Sequence, residues 1–159
     1  IVNMSFIVLS KKKGEVVADD SKNAIQKYSS DMNHFLLPCR FFQKYAQSGL
    51  FEKSLIDYSK QFCNKDKLFL DIGAHSGTYS VNLATYFRKV YAFEPQKMTY
   101  YALCGSVALS GIQNVECIQC GLGSHDQVGD DVELFIDSTD GGTSSVVGGK
   151  GGGVVEKIV

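Results

Sequence analysis

The sequence predicts an α/β protein: a parallel sheet with helices on both faces, preceded by a smaller α/β extension. Three observations predict it. Between residues 68 and 119 short apolar runs alternate with single helix-like stretches in the order β-α-β-α-β, the pattern of parallel strands joined by crossover helices. The first apolar run ends in an acidic residue and a glycine turn, Asp71-Ile72-Gly73-Ala74-His75-Ser76-Gly77. The second ends Phe93-Glu94-Pro95, which puts another carboxylate at a strand end 23 positions after Asp71.

The elements follow in order. Ser5–Leu9 and Glu15–Ala18 are β-like and could pair through a turn at Lys11–Gly14. Helices are predicted at Asn23–Tyr28 and Phe41–Ala46, with Ser29–Pro38 a mixed stretch between them. Leu50–Phe62 is a stronger helix, because Phe51, Leu55, Tyr58 and Phe62 fall at offsets 0, 4, 7 and 11, one face of a 3.6-residue period. That stripe is expected to pack. A boundary is drawn after residue 63, giving an extension at 1–63 and a ligand-binding domain at 64–159. Strands are predicted at 68–72, 89–93 and 115–119, with helices at Thr78–Phe87 and Gln96–Leu109. Val132–Ile136 is a fourth β-like run. The polar segment before it is too short for a crossover helix, so an antiparallel partner is expected. Gly141–Gly153 holds seven glycines in 13 residues and reads as a flexible loop.

Composition narrows the function. At 159 residues the chain fits one domain of ~100–150 residues. Net charge is −1, which excludes a bulk electrostatic grip on nucleic acid or an anionic membrane, though not a local basic patch; no nucleic-acid partner is expected. No apolar run reaches the ~18–20 residues of a membrane span. The cysteines are Cys39, Cys63, Cys104, Cys117 and Cys120, odd in number and irregular in spacing. Cys117-x-x-Cys120 has no second pair to complete a zinc site, and an offset of three along a strand would put its thiols on opposite faces. No metal is expected, and no leader is evident in the first residues. The chain is read as cytoplasmic, with reduced thiols. Its start at Ile1 and its stop just after the glycine-rich stretch give the expectation of a partial chain.

The chemistry centres on Asp71–Gly77. In open parallel sheets ligands bind beyond the carboxyl ends of the strands. Gly73 permits a tight turn and a close approach of backbone to ligand, Gly77 sits where the next helix must pack closely, and free N–H groups at a helix start can hold an anion. A dinucleotide fingerprint aligned from Gly73 fails at His75 and Thr78, and no G-K-[ST] exists for a P-loop. The loop D/E-x-G-x-G-x-G of class I S-adenosylmethionine (SAM) methyltransferases fits Asp71, Gly73 and Gly77, with His75 at the middle glycine. Glu94 at the second strand end can accept the hydroxyls of a ribose.

Phe69–Gly77, Val90–Pro95 and Asn114–Gly123 together resemble the FkbM-type methyltransferases, in which the loop is commonly G-A-N-x-G and the second strand ends F-E-P. Here these stand as Gly73-Ala74-His75-Ser76-Gly77 and Phe93-Glu94-Pro95, and Cys120-Gly121-Leu122-Gly123 follows the third strand. The resemblance covers residues 64–146. It implies a Rossmann-like class I methyltransferase sheet, of which this chain holds the first half, and SAM as cofactor. Its matching positions form the cofactor-binding set Asp71, Gly73, Ala74, His75, Gly77, Glu94, Pro95, Cys120 and Gly121. It also implies O-methylation of a hydroxyl on a sugar, glycan or small metabolite. His75 stands where the family has Asn. The family's later K-x-D-x-E-G strand, which would lie beside the first strand, has no counterpart, so the first strand is expected at an edge. No base is identified; His34, His75 and His125 are candidates by chemistry alone. The alternatives are an NAD(P)-linked oxidoreductase and a non-catalytic nucleotide-binding domain.

Overall fold

The computed structural model describes residues 6–12, 15–17, 32–38, 52–125, 128–129, 132–136, 144–146 and 154–158, with side chains over the described residues from 52 to 146 and at 158. The helices expected at 23–28 and 41–46 lie outside these residues.

Three parallel strands carry the centre of the molecule. Strands β4 (Leu68–Ile72), β5 (Lys89–Phe93) and β6 (Val115–Ile118) lie in that order, with Leu68 opposite Lys89 and Val90 opposite Val115. All three match the sequence expectation, and among the described residues β4 lies at an edge. The chain enters β4 through an Asx turn in which the Asp66 N–H donates to Asn64 Oδ1 at 2.8 Å. Between β4 and β5 runs helix α2 (Thr78–Leu83), which tightens into a 3-10 turn at Ala84–Tyr86. Between β5 and β6 runs helix α3 (Lys97–Leu109).

Alternation along the strands decides what is buried. Phe69, Val90, Ala92, Val115 and Cys117 face one way and pack with Val81, Leu83, Ala84, Phe87, Leu103 and Val107 from the connections. Phe69 and Phe87 stack at 5.2 Å. Leu68, Leu70 and Ile72 face the other way and are 48%, 54% and 64% exposed. Helices α2 and α3 therefore cover one face. The expected helices on the other face are not found among the described residues. At the N-terminal edge Asn114 Nδ2 donates to the carbonyls of Ala84 and Phe87, at 2.8 and 3.0 Å. That fixes where α2 ends and β6 begins.

The helix expected over 50–62 is α1 (Lys53–Ser59), followed by a 3-10 turn at Lys60–Phe62. Its orientation overturns one expectation. Leu55, Tyr58 and Phe62 are exposed, whereas Ile56 is buried and Cys63 packs on the core. The inward stripe is Glu52, Ile56, Ser59 and Cys63, the same offsets shifted by one residue. The reason is a polar anchor that periodicity does not weigh. The Tyr79 hydroxyl on α2 donates to Glu52 Oε2 at 2.8 Å, which turns that side of α1 toward the core.

Two smaller sheets complete the description. Strands β1 (Phe6–Lys12), β2 (Glu15–Val17) and β3 (Met32–Pro38) form an antiparallel sheet in the order β2-β1-β3. The hairpin is as expected. Strand β3, read from sequence as mixed, pairs along all of β1 from Phe6↔Pro38 to Lys12↔Met32. Strand β7 (Val132–Ile136) has the antiparallel partner expected of it, but that partner is β8 (Val154–Ile158) across the glycine-rich segment.

Candidate functional site

The carboxyl ends of β4 and β5 bring two acidic side chains together. Asp71 and Glu94 are 8% and 7% exposed, and the Asp71 charge adds to what raises the Glu94 carboxyl. Burial dominates at both and raises both carboxyls above their ordinary values. Hydrogen bonds to the ionised forms work in the opposite direction: from Ser80 at Asp71, and from the Gln96 and His75 N–H groups at Glu94.

The loop between β4 and α2 is built around these acids. The N–H groups of Gly73 and Ala74 both donate to the Phe93 carbonyl, at 3.0 and 2.9 Å, and the Gly77 N–H donates to the Ala74 carbonyl at 2.8 Å. The His75 N–H donates to Glu94 Oε2 at 2.9 Å, and the Gln96 N–H donates to Glu94 Oε1 at 3.0 Å. Glu94 thus holds the first loop against the end of the second strand. A carboxylate has about four acceptor positions, so each oxygen keeps one for a ligand.

The glycines play different parts. Gly73 has φ +76, and a Cβ there would meet nothing within 4 Å, so the turn needs glycine's backbone freedom and leaves open space above it. Gly77 has φ +92, and a Cβ would come 2.9 Å from Leu103 Cδ1. Gly77 is a close-packing position as the sequence suggested, and what packs on it is α3. His75, with φ +51, is also left-handed, a conformation in which Asn, Asp and His are enriched among non-glycine residues. That accounts for histidine where the resembling family has asparagine: the position selects for backbone tolerance. The ring Nδ1 lies 3.2 Å from Ser76 Oγ.

The helix start does hold a carboxylate, and it is the chain's own. Gly77, the N-cap of α2, has no side chain to offer. Asp71 Oδ2 instead accepts the Ser80 N–H at 3.0 Å and the Ser80 hydroxyl at 2.6 Å. Ser80 was not legible as a site residue from sequence, because its burial is seen only in the fold. Gln96 was missed for the same reason. It is buried, and its Oε1 accepts the Thr99 hydroxyl at 2.6 Å.

Of the remaining expected residues, Ala74 is buried in the core while Pro95, Cys120 and Gly121 are half-buried. Cys120 and Gly121 follow the end of β6, which is tied to β5 by the Glu94 N–H donating to the Ile118 carbonyl at 3.0 Å. They therefore belong to the same edge of the sheet. Cys63, Cys104, Cys117 and Cys120 are free thiols. Burial, with a contribution from Cys104, pushes Cys117 up to about 12, so its thiol stays protonated and unreactive. Among the three histidines only His75 stands at the strand tips; His125 is exposed in a turn and the His34 side chain is outside the described ones. Among the described residues no cluster of His, Cys, Asp and Glu could hold a metal, and no helix is long and apolar enough to cross a membrane.

No protein-family model matches the chain, and no curated protein sequence matches it. Solved structures do match. TYW2 of M. jannaschii, crystallised with AdoMet, is 20% identical over 66% of this chain and 46% of its own, with a TM-score of 0.44. An rRNA methylase from Streptococcus thermophilus is 23% identical over 50% of this chain and 48% of its own, at 0.42. A tRNA m1G37 methyltransferase of M. jannaschii is 12% identical over 66% of this chain and 32% of its own, at 0.39. The matched part spans less than half of each of these structures. Two of the three act on RNA by their names, which corrects the expectation that a nucleic-acid partner is excluded and the acceptor confined to a small molecule or glycan. Net charge is a sum over the whole chain and does not decide what a local surface binds.

Proposed function

We propose that the chain carries the cofactor half of a SAM-dependent methyltransferase, with SAM across the tips of β4 and β5. One observation carries this reading. Two buried carboxylates flank a glycine turn, and burial raises both above their ordinary values. Such a site favours a ligand that brings positive charge. SAM carries a sulfonium and an ammonium, whereas NAD(P) would bring a pyrophosphate beside two carboxylates. Glu94 would accept the ribose hydroxyls with its remaining positions, above the open bed at Gly73, and Asp71 would face the charged methionyl end. Ala74, His75, Gly77, Pro95, Cys120 and Gly121 complete the proposed cofactor surface.

The finer reading is transfer to a hydroxyl, and the FkbM-type resemblance supports it. Direct transfer from a sulfonium needs the acceptor oxygen held in line with the methyl group and a base for its proton. The free thiols support an intracellular location.

Titration of the full chain with SAM and with NAD tests the reading. SAM should bind and NAD should not. Glu94→Ala should weaken SAM by ~10–150-fold, the loss of a hydrogen-bonded charge. Equal SAM affinity for wild type and Glu94→Ala removes the ribose assignment, and NAD binding above SAM replaces the reading with an oxidoreductase.

A further inference from the structure

We infer that Ser80 is a positioning residue for the cofactor, acting through Asp71 on the amino-acid end of the ligand. The inference rests on the cofactor reading above and deepens it. Ser80 is fully buried, so it cannot touch a ligand itself. Its N–H and its hydroxyl both donate to one oxygen of Asp71, Oδ2, at 3.0 and 2.6 Å. The terminal torsion of an aspartate is broad and roughly two-fold. Two donors from one residue, meeting on one oxygen, remove that freedom and decide which oxygen is taken.

The other oxygen is the consequence. Among the described residues nothing donates to Asp71 Oδ1, in a residue 8% exposed. A buried acceptor without a donor is costly, and a cationic N–H donor supplied by a ligand relieves it. In SAM the group of that chemistry is the methionyl ammonium. Ser80 thereby keeps Oδ1 available by occupying Oδ2. The same pair of bonds anchors the third residue of α2, whose N-cap is a glycine. The helix start and the acceptor are set by one contact.

S-adenosylhomocysteine and 5′-methylthioadenosine separate this role from a structural one. They share the adenosine and the thioether, and only the first carries the ammonium and carboxylate. Calorimetric titration of the full chain with both is the experiment, with melting curves to follow the fold. Wild type should bind both. Ser80→Ala should lose about tenfold or more for S-adenosylhomocysteine and less than about twofold for 5′-methylthioadenosine, and Ser80→Thr, which keeps the hydroxyl, should recover most of the difference. If Ser80→Ala fails to fold, Asp71→Asn makes the same comparison: its amide oxygen can serve Ser80 while its NH2 meets the ammonium, so S-adenosylhomocysteine alone should weaken. Parallel losses for the two ligands, or no loss for either, overturn the inference while leaving the cofactor reading intact. A wild type that binds neither overturns both.

Discussion

The two faces of strand β4 both carry large apolar side chains and have opposite surroundings. Phe69 and Asp71 point toward α2 and α3, where Phe69 stacks on Phe87 and Asp71 is fastened to Ser80. Leu68, Leu70 and Ile72 point away and are exposed. A strand apolar on both sides is written for a sheet covered on both sides, and the described residues cover one. Side-chain chemistry alone therefore does not tell which half of such a strand supports the fold. The neighbouring elements do.

Truncations on the two faces put that difference to the test, and they carry the largest expected effect. Leu103 is fully buried beneath Gly77, so Leu103→Ala should cost ~2–5 kcal/mol in urea unfolding. Leu70→Ala, on the open face, should cost less than about 1 kcal/mol. Similar losses from the two would show that the outer face is as tightly packed as the inner one. Gly77→Ala should follow at ~1–3 kcal/mol, because φ +92 strains any side chain and the new methyl meets Leu103. A double variant with Leu103→Ala should recover the packing part and leave the strain.

The fold was legible where local chemistry and tertiary context agree. Strands 68–72 and 89–93 are bounded by turn residues, and both fall as read. The reading failed where a single tertiary contact overrode a pattern. The α1 stripe at Leu55, Tyr58 and Phe62 is as regular as any in the chain, yet the Glu52–Tyr79 hydrogen bond joins residues 27 apart and turns the helix away from it. Strand β8 lay beyond a glycine-rich stretch that conceals its pairing with β7. At the site, residue types at the strand tips pointed to Asp71 and Glu94. Their partners Ser80 and Gln96 act through a helix turn and a backbone N–H, which no spacing motif encodes.

The acids themselves supply the next prediction, one of ligand affinity against pH. Asp71 and Glu94 titrate above ordinary carboxyls because they are buried. SAM affinity should therefore fall as pH is lowered through their raised range, beginning above the ordinary carboxylate range. The fold itself should respond with the opposite sign at these two groups. A carboxyl whose folded pKa lies above its unfolded one destabilises when ionised, so protonation adds stability as pH falls. Exposed Asp57 is the contrast. Hydrogen bonds from Lys53 and Lys60 hold it down to about 2, so its contribution is present above its unfolded value and lost only as pH falls toward 2. Calorimetric SAM titration and melting curves across pH 7 to 4 measure both, and affinity flat over that range would break the electrostatic argument. The smallest effect is expected at His75. His75→Asn should leave stability within about 0.5 kcal/mol of wild type, since both tolerate φ +51, whereas His75→Val should cost more. Equal melting of the two variants would return the position to side-chain chemistry.

The open side of β4 also governs how the chain behaves in concentrated solution. Its one charge, Asp71, is turned inward and spent on Ser80, so among the described residues Leu68, Leu70 and Ile72 stand on an unpaired edge strand with no outward lysine, proline or bulge to discourage a neighbour. Natural proteins guard such edges because unpaired ladders recruit other chains. Leu70→Lys, which puts a charge in the middle of that strand's open face, should therefore reduce self-association, read by light scattering at rising concentration.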